Sequence, residues 1–269
     1  MLSNYRLCRE LSKPAVAVVA LGLLAWPFPT WAYRPFDGTD AAVAKKGEME
    51  IELQPAGGVR DDAGTKLLAP ATVINYGLSD EWEAVFEGQG QTSLSPPGPT
   101  SLTAAGAFLK HVLVPGSLQD KTGPSIATEF GVLAPDSTGN SGFGVSLAGI
   151  VSQRWDWGTM HLNADAALTR EHHGDLFLSA IVEGPSTWTV RPVAEIFYEN
   201  EFGTAQTFSG LVGLIYRVSD DLSFDVAIRH ALTNGRPVNE IRAGLTFGFP
   251  LSSSEQHATR RQTLPSLPH

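Results

Sequence analysis

Cysteine, long apolar runs and positive charge are all scarce in this sequence. The single cysteine, Cys8, precedes a short apolar stretch near the start of the chain, so the residues beyond it can form neither a disulfide nor a thiolate metal site. No later run reaches the roughly 18 apolar residues that a transmembrane helix requires. The 28 acidic residues outnumber the 19 basic ones, and the formal net charge is −9. Such an acidic chain cannot hold nucleic acid by neutralising phosphates, which excludes nucleic acid as a partner.

The first residues have the composition of a secretory signal. Basic residues precede an apolar stretch that is too short to span a bilayer, and small residues follow it up to Ala32. We expect cleavage after Ala32, so that residues 1–32 form a signal peptide. The mature chain would then contain no cysteine, which suits a protein of the Gram-negative envelope better than a disulfide-stapled secreted protein.

Alternation of apolar and polar residues is clearest between Leu222 and Phe249. One face of these segments is apolar: Leu222, Phe224, Val226, Ile228, Ile241, Ala243, Leu245, Phe247 and Phe249. The intervening residues, such as Asp225 and Arg242, are charged, small or glycine. Because successive side chains of a strand point to opposite faces, each strand has one apolar face. In a membrane barrel that face contacts lipid and the charged face lines the lumen, whereas in a soluble sandwich the apolar face is buried.

About twelve segments of this kind follow one another along the chain. They are Gly47–Gln54, Lys66–Tyr76, Asp80–Gln89, Ser101–Leu113, Gly123–Leu133, Gly142–Trp155, Thr159–Arg170, Asp175–Glu183, Thr187–Tyr198, Thr207–Arg217, Leu222–Leu232 and Val238–Phe249. Tight turns such as Gly77–Asp80 and Ser219–Asp221 alternate with longer loops such as Pro55–Thr65 and Gly90–Thr100. Short periplasmic turns and longer extracellular loops are typical of outer-membrane barrels.

The pattern therefore predicts an all-β fold, a transmembrane antiparallel up-and-down β-barrel of about 12 strands. We expect the barrel to occupy residues 33–251, with an irregular periplasmic lead-in from Tyr33 to Lys46. Residues 252–269 are polar and aperiodic, which indicates a disordered C-terminal tail. An aromatic belt is expected from tryptophans and tyrosines near the strand ends. They are Trp82, Trp155, Trp157, Trp188, Tyr76, Tyr198 and Tyr216.

Three stretches resemble a known family of outer-membrane proteins. They are RPFDGTDAAVAKKGEMEIEL (Arg34–Leu53), INYGLSDEWEAVFEG (Ile74–Gly88) and LIYRVSDDLSFDVAIRHAL (Leu214–Leu232). In these stretches the chain is similar to the outer-membrane barrels labelled MetA-pathway of phenol degradation. The resemblance covers about Arg34 to Phe249 and includes no catalytic signature. It implies an outer-membrane barrel that passes hydrophobic or aromatic compounds.

The polar faces of the predicted strands supply the candidate lumen-lining residues. These are Glu50, Glu52, Glu81, Glu83, Glu87, Glu129, Asp165, Arg191, Glu195, Asp225, Arg229, Glu240 and Arg242. One interpretation is a field that selects or orients a permeating solute. The other is that a narrow barrel fills its interior with paired charges whatever its function.

We predict a passive channel or transporter for small, hydrophobic or aromatic solutes in the outer membrane, and not an enzyme. Its expected partners are membrane lipid, a small-molecule solute and the outer-membrane assembly machinery. The alternatives are an outer-membrane lipid-modifying enzyme, a structural barrel without transport, and a soluble periplasmic β-sandwich. For the enzyme, His230 on the apolar face is the candidate histidine. His172-His173 lacks a third histidine at ligand spacing, so we expect no metal. The sequence has no nucleophile elbow, P-loop, HExxH or dinucleotide fingerprint, so we expect no cofactor and no catalytic residue.

Overall fold

The computed structural model describes residues 34–138 and 142–251, and the predicted signal peptide and C-terminal tail lie outside these residues. The described residues form twelve strands: β1 Glu48–Asp61, β2 Gly64–Gly77, β3 Trp82–Ser95, β4 Pro97–Val114, β5 Ser125–Leu133, β6 Gly144–Trp155, β7 Gly158–Leu168, β8 Gly174–Glu183, β9 Val190–Glu201, β10 Ala205–Arg217, β11 Leu222–Thr233 and β12 Arg236–Pro250. A short 3-10 helix, η1, spans Ser117–Gln119 between β4 and β5. Within these ranges no helix has the length and apolar character needed to cross a bilayer.

The strands form a closed antiparallel barrel. Each strand pairs with its neighbours in sequence, and β1 pairs with β12 through positions such as Leu53 opposite Leu245. Closure satisfies the backbone groups of every strand and leaves no open sheet edge, which is the condition for a sheet that spans lipid. The predicted fold class and strand number are confirmed.

Two of the predicted extracellular loops are wrong. Most of Pro55–Thr65 and Gly90–Thr100 is strand: β1 runs to Asp61 and β2 starts at Gly64, while β3 runs to Ser95 and β4 starts at Pro97. The prolines suggested loops, but Pro55 lies at a register shift between β1 and β12. A proline has no N–H to donate, and a bulge needs none at the extra residue.

The apolar face points outward around the barrel. On β11, Val226 is 45% exposed, whereas the adjacent Ala227 is 2% exposed and faces the interior. Aromatic side chains mark the end of the barrel where the chain makes its tight turns. Trp155 and Trp157 stack there with ring centroids 5.2 Å apart, and both are exposed. An exposed apolar belt with aromatic residues at its rim is the surface that a spanning barrel presents to lipid.

The predicted periplasmic lead-in is wrong in its location. Residues 34–46 are irregular, as expected, but they lie inside the barrel and not below it. Arg34 reaches Asp225 and Gln54 on the inner wall, and Arg242 of β12 binds the main-chain oxygen of Pro35. The sequence pattern does not predict this location, because a short polar segment has the same composition inside a polar lumen as outside the barrel.

Replacing Val226 with arginine tests which face meets lipid. Val226 lies near the middle of β11, so the Val226→Arg change should cost roughly 2–4 kcal/mol of the free energy of unfolding in bilayers. Ala167→Arg is the control, because Ala167 lines the internal cavity beside Asp165 and Asp175. A tolerated Val226→Arg beside a destabilised Ala167→Arg would reverse the assigned faces.

Single cysteines test the orientation, since the predicted mature chain has none of its own. Ala63 is exposed in the β1–β2 turn, and Asp80 is exposed in the β2–β3 turn at the opposite end of the barrel. On intact cells an impermeant thiol reagent should label Ala63→Cys and spare Asp80→Cys. The reverse pattern would show that the barrel is inserted the other way round.

Candidate functional site

Residues 34–46, here called the luminal segment, run along the inner wall of the barrel in the half that ends at the tight turns. Side chains of the wall accept hydrogen bonds from the backbone of this segment. The two carboxylate oxygens of Glu195 on β9 accept from the amides of Asp37 and Gly38, both at 2.8 Å. Asn163 on β7 accepts from the Thr39 amide at 3.0 Å. An irregular backbone at membrane depth must be paired in this way, because an unpaired buried amide costs several kcal/mol.

The same pattern continues as the segment returns toward the start of β1. The amide of Ala41 donates to Ser152 Oγ on β6 at 2.9 Å, and the amide of Ala44 donates to Glu83 on β3. The segment thus contacts the wall on β12, β9, β7, β6 and β3 in turn. It follows the inside of the barrel as a partial collar.

Arg242 is the main ionic anchor of the luminal segment. Its guanidinium donates to the main-chain oxygen of Pro35 at 2.9 Å and to Asp37 Oδ1 at 2.7 Å. The same group binds Glu240 at 2.7 Å, and Glu240 is also bound by Arg229 at 2.6 Å. Because Arg242 is only 8% exposed, these contacts together compensate its burial.

Lys110 of β4 is a second ionic anchor of the segment. Its ammonium group donates to Thr39 Oγ1 at 2.9 Å and lies 3.4 Å from Asp40 Oδ1. Lys110 is 4% exposed, and Glu83 is buried on the adjacent strand. Lys110 is absent from the lumen residues predicted above. Lys110 lies two residues from the buried Phe108 and therefore on the inward face of β4. The alternation of this strand could have identified it as a lumen residue.

The long connection between β4 and β5 packs against the luminal segment. Gln119 of η1 donates to the main-chain oxygen of Ala41 at 2.9 Å. Leu118 packs in an apolar cluster with Ala41 and with inward residues of β5 and β6 that include Ile150. Here the lumen wall is apolar, so burial of Ala41 and Leu118 adds a hydrophobic contact to the polar anchors.

A serine, a histidine and a glutamate lie in a row beside the segment. Ser152 Oγ is 2.8 Å from His161 Nδ1, and His161 Nε2 is 3.2 Å from Glu183. Arg191 binds the other oxygen of Glu183 at 3.1 Å. Ser152 has no exposed surface, and its oxygen already accepts the amide of Ala41. A nucleophile must reach its substrate, so this arrangement positions the segment and does not form a hydrolytic site.

A cavity of about 1220 Å³ lies in the lumen beside the luminal segment. Its lining extends from Glu48, at the end of the barrel with the tight turns, to Glu199 near the opposite end of β9, and it includes residues of β1 to β9 and of β11. Acidic side chains dominate this lining: Asp37, Asp40, Glu48, Glu50, Glu52, Asp80, Glu81, Glu83, Glu87, Asp120, Glu129, Asp165, Asp175 and Glu199. The basic side chains that line it are Lys45, Lys110, Lys121 and Arg229.

The carboxylates of the cavity wall differ in how they are compensated. Glu52 accepts a hydrogen bond from Asn75 at 3.0 Å, and Asp165 accepts one from Ser146 at 3.2 Å. Glu50 and Glu87 make neither a hydrogen bond nor an ion pair with any side chain of the described ranges. Glu50 is 9% exposed, and its carboxyl group faces the cavity.

The structure places the candidate residues in three positions. Glu50, Glu52, Glu83, Glu87, Glu129, Asp165 and Arg229 line the cavity from the strands. Glu195, Asp225, Glu240 and Arg242 are buried on the inner wall and bind one another or the luminal segment, whereas the buried Arg191 binds Glu183. Glu81 lies in the exposed turn before β3, at the mouth of the cavity.

The histidines considered in the sequence lie away from this network. His230 is exposed on the outer wall, and its Nδ1 is 2.9 Å from Asn239 Oδ1, so its partner is an amide and not a serine. His173 pairs with Glu201 at 2.9 Å in the β7–β8 turn. Within the residues described, no three or more His, Cys, Asp and Glu side chains are arranged to hold a metal ion.

Solved structures with the same fold are outer-membrane barrels. The chain is similar to the COG4313 outer membrane channel from Pseudomonas putida F1, with a TM-score of 0.57 and 8% identity over 80% of this chain and 100% of the other. The NanC porin has a TM-score of 0.52 and 8% identity, over 74% of this chain and 98% of the other. The KdgM porin in complex with disordered oligogalacturonate has a TM-score of 0.53 and 11% identity, over 75% of this chain and 99% of the other. No family model matches the sequence, and no curated protein does. At these identities the likeness establishes the fold of outer-membrane barrels.

Gly38 offers a way to displace the luminal segment without changing the wall. A side chain at Gly38 would overlap Ser179 Oγ and the Asn163 amide. Gly38→Leu should therefore free the segment, whose lost hydrogen bonds are worth about 1 kcal/mol each. By hydrogen exchange, amides of residues 37–44 should lose protection while the strands keep theirs.

Gly149→Leu is the matched control for this change. Gly149 faces outward on β6, and the nearest atom to an added Cβ is 4.0 Å away. Exchange in the luminal segment should then match that of the unmodified chain. Equal protection in the Gly38→Leu and Gly149→Leu variants would contradict the placement of the segment.

Proposed function

We propose that the chain is a passive channel of the bacterial outer membrane for small solutes that are cationic or neutral. The observation that carries this proposal is the cavity, whose lining reaches from the periplasmic mouth to the outer half of the barrel beside the luminal segment. The apolar outer belt supports the membrane location, and insertion would require the outer-membrane assembly machinery. Similarity in fold to the porins and the channel described above agrees with this assignment.

Charge determines which solutes the passage favours. Carboxylates outnumber basic groups along the cavity, so the field inside attracts cations and repels anions. The KdgM porin has been solved with oligogalacturonate, which is a polyanion. An acidic lumen is unsuited to such a cargo, so we infer a different solute class for this chain.

An aromatic patch in the outer half of the cavity narrows that class further. Phe177 and Phe197 lie with ring centroids 5.1 Å apart, and Phe108 lines the cavity as well. Arg229 covers the Phe197 ring at 5.8 Å. Aromatic rings next to carboxylates suit a small solute with an aromatic or apolar part. This agrees with the cargo implied by the phenol-degradation family, and we propose that the chain is a member of that family.

Neutralising two carboxylates tests the channel proposal. Glu50 and Glu87 face the cavity and make no ion pair with a residue in the described part of the chain. The unmodified protein should conduct in planar bilayers with a reversal potential of the cation-selective sign under a KCl gradient. Glu50→Gln with Glu87→Gln should move that potential toward zero, because the field that excludes anions is weakened.

Glu171→Gln is the control, since Glu171 is exposed in the β7–β8 turn outside the cavity lining. Its reversal potential should equal that of the unmodified protein. A barrel that inserts and carries no current, or one that prefers anions, would overturn the proposed function.

Replacing the luminal segment tests its effect on conduction through the lumen. Because residues 34–44 occupy the periplasmic half of the lumen, replacing them with a glycine–serine stretch of the same length should raise the single-channel conductance. This replacement leaves the wall carboxylates in place, so the preference for cations should persist. Unchanged conductance, in a variant that still folds by heat-modifiable migration, would show that the segment does not narrow the route.

A further inference from the structure

A groove on the outer wall lies at the level where the apolar belt gives way to polar side chains. It crosses β1, β12, β11 and β10 close to their outer ends and has a volume of about 570 Å³. The groove exists because two of these strands carry glycine on the outward face, Gly58 on β1 and Gly210 on β10. An added Cβ at Gly210 would meet nothing within 4 Å, and one at Gly58 would meet only Ile241 Cγ2 at 3.6 Å.

The two rows of side chains that border the groove differ in character. The row nearer the middle of the membrane is apolar, and its side chains are exposed: Val212 at 55%, Ile228 at 59% and Ile241 at 56%. The outer row pairs His230 with Asn239 and Asn239 with Arg60 across neighbouring strands. His230 and Asn239 are hydrogen-bonded at 2.9 Å. The one acidic residue at the groove, Glu240, is buried and paired with Arg229 at 2.6 Å. One boundary of the groove therefore suits an acyl chain and the other a polar, anionic headgroup.

Arg60 is the residue that gives the groove its charge preference. It is exposed at the outer end of β1, and it makes no ion pair with any residue in the described ranges. Arginine binds phosphate through two parallel N–H donors, and basic side chains at a membrane surface select anionic headgroups. By contrast, Arg236 at the neighbouring β11–β12 turn is near Asp62, at 3.9 Å.

We propose that this groove is a binding site for one phosphorylated glycolipid of the outer leaflet. An acyl chain lies along Val212, Ile228 and Ile241 above the glycine gaps, and a phosphate is bound by Arg60, with His230 and Asn239 contacting the sugar. The inference goes beyond the proposed channel function and rests on it only for the outer-membrane location. A phosphorylated glycolipid fits better than a phospholipid because the groove lies at the outer end of the strands, where the leaflet of a Gram-negative envelope consists of such glycolipids.

Native mass spectrometry of the full chain, purified in mild detergent and mixed with diphosphorylated lipid A, tests the proposal. One lipid should bind per chain. Arg60→Gln should weaken that binding about tenfold, the effect of one charge-assisted hydrogen bond. Gly58→Leu should abolish it by filling the groove, and lipid A lacking its phosphates should bind the unmodified protein as weakly as intact lipid A binds Arg60→Gln.

Two control variants keep the outcome decisive. Arg236→Gln removes an exposed arginine outside the groove, and Gly149→Leu adds the same side chain at an outward glycine of β6. Both should bind lipid A as the unmodified chain does. Equal binding by all the variants, or equal binding of phosphatidylglycerol, would overturn the proposal. Should Gly58→Leu fail to fold, Arg60→Gln still decides it, because that side chain is exposed.

The same preparations separate this proposal from the channel proposal. Arg60 and Gly58 face away from the lumen, so conductance of the Arg60→Gln and Gly58→Leu variants should equal that of the unmodified protein. If the barrel carries no current but binds lipid A through the groove, the channel proposal is refuted and the lipid-site proposal is supported. If it conducts but binds lipid A without dependence on Arg60 or Gly58, the lipid-site proposal is refuted and the channel proposal is supported.

Discussion

Pairing of buried polar groups is the constraint on which this structure depends. The luminal segment has no regular secondary structure, so its amides need partners from the wall, and Glu195 supplies two of them through one carboxylate. In return, Asp37 and Asp40 of the segment form ion pairs with Arg242 and Lys110 of the wall. The segment and the wall thus provide partners for each other's buried polar groups. Breaking one side would leave an uncompensated charge on the other, which is the costly outcome for a buried pair.

This mutual pairing leaves part of the lumen free. The luminal segment is held by Ser152, Asn163, Glu195 and Arg242 on β6 to β12, and by Glu83 and Lys110 on β3 and β4. The cavity beside it is bordered by carboxylates of β1, β3 and β5 and by Asp165, Asp175 and Glu199 on β7 to β9. Among them, Glu50 makes no hydrogen bond or ion pair with a described residue. A charge without a partner is sustained by water or by a passing cation. The part of the lumen that the collar leaves free is therefore also the part whose charge favours cations.

The strands could be predicted from the sequence because their periodicity is strong: Phe224, Val226 and Ile228 alternate with Asp225, Ala227 and Arg229 over a long stretch. The outer ends of β1, β3 and β4 and the position of the lead-in were predicted wrongly. Prolines and glycines look like loop residues whether they stand in a loop or at a bulge. The lead-in has too few residues for any pattern, and its partners lie far away in sequence, as with Arg34 and Asp225 at a separation of 191. Inward polar positions follow from strand parity, whereas the question of which of them hold the collar depends on three-dimensional contacts.

The most direct test of this account is a cross-link between the luminal segment and the wall. Ala41 and Ser152 are in hydrogen-bond contact at 2.9 Å, and both are fully buried. In membranes of cells expressing the Ala41→Cys, Ser152→Cys chain, mild oxidation should form an intramolecular disulfide that changes the peptide map of the folded barrel. If the two thiols stay reduced and both react with a water-soluble reagent, the segment lies outside the lumen and the account is contradicted.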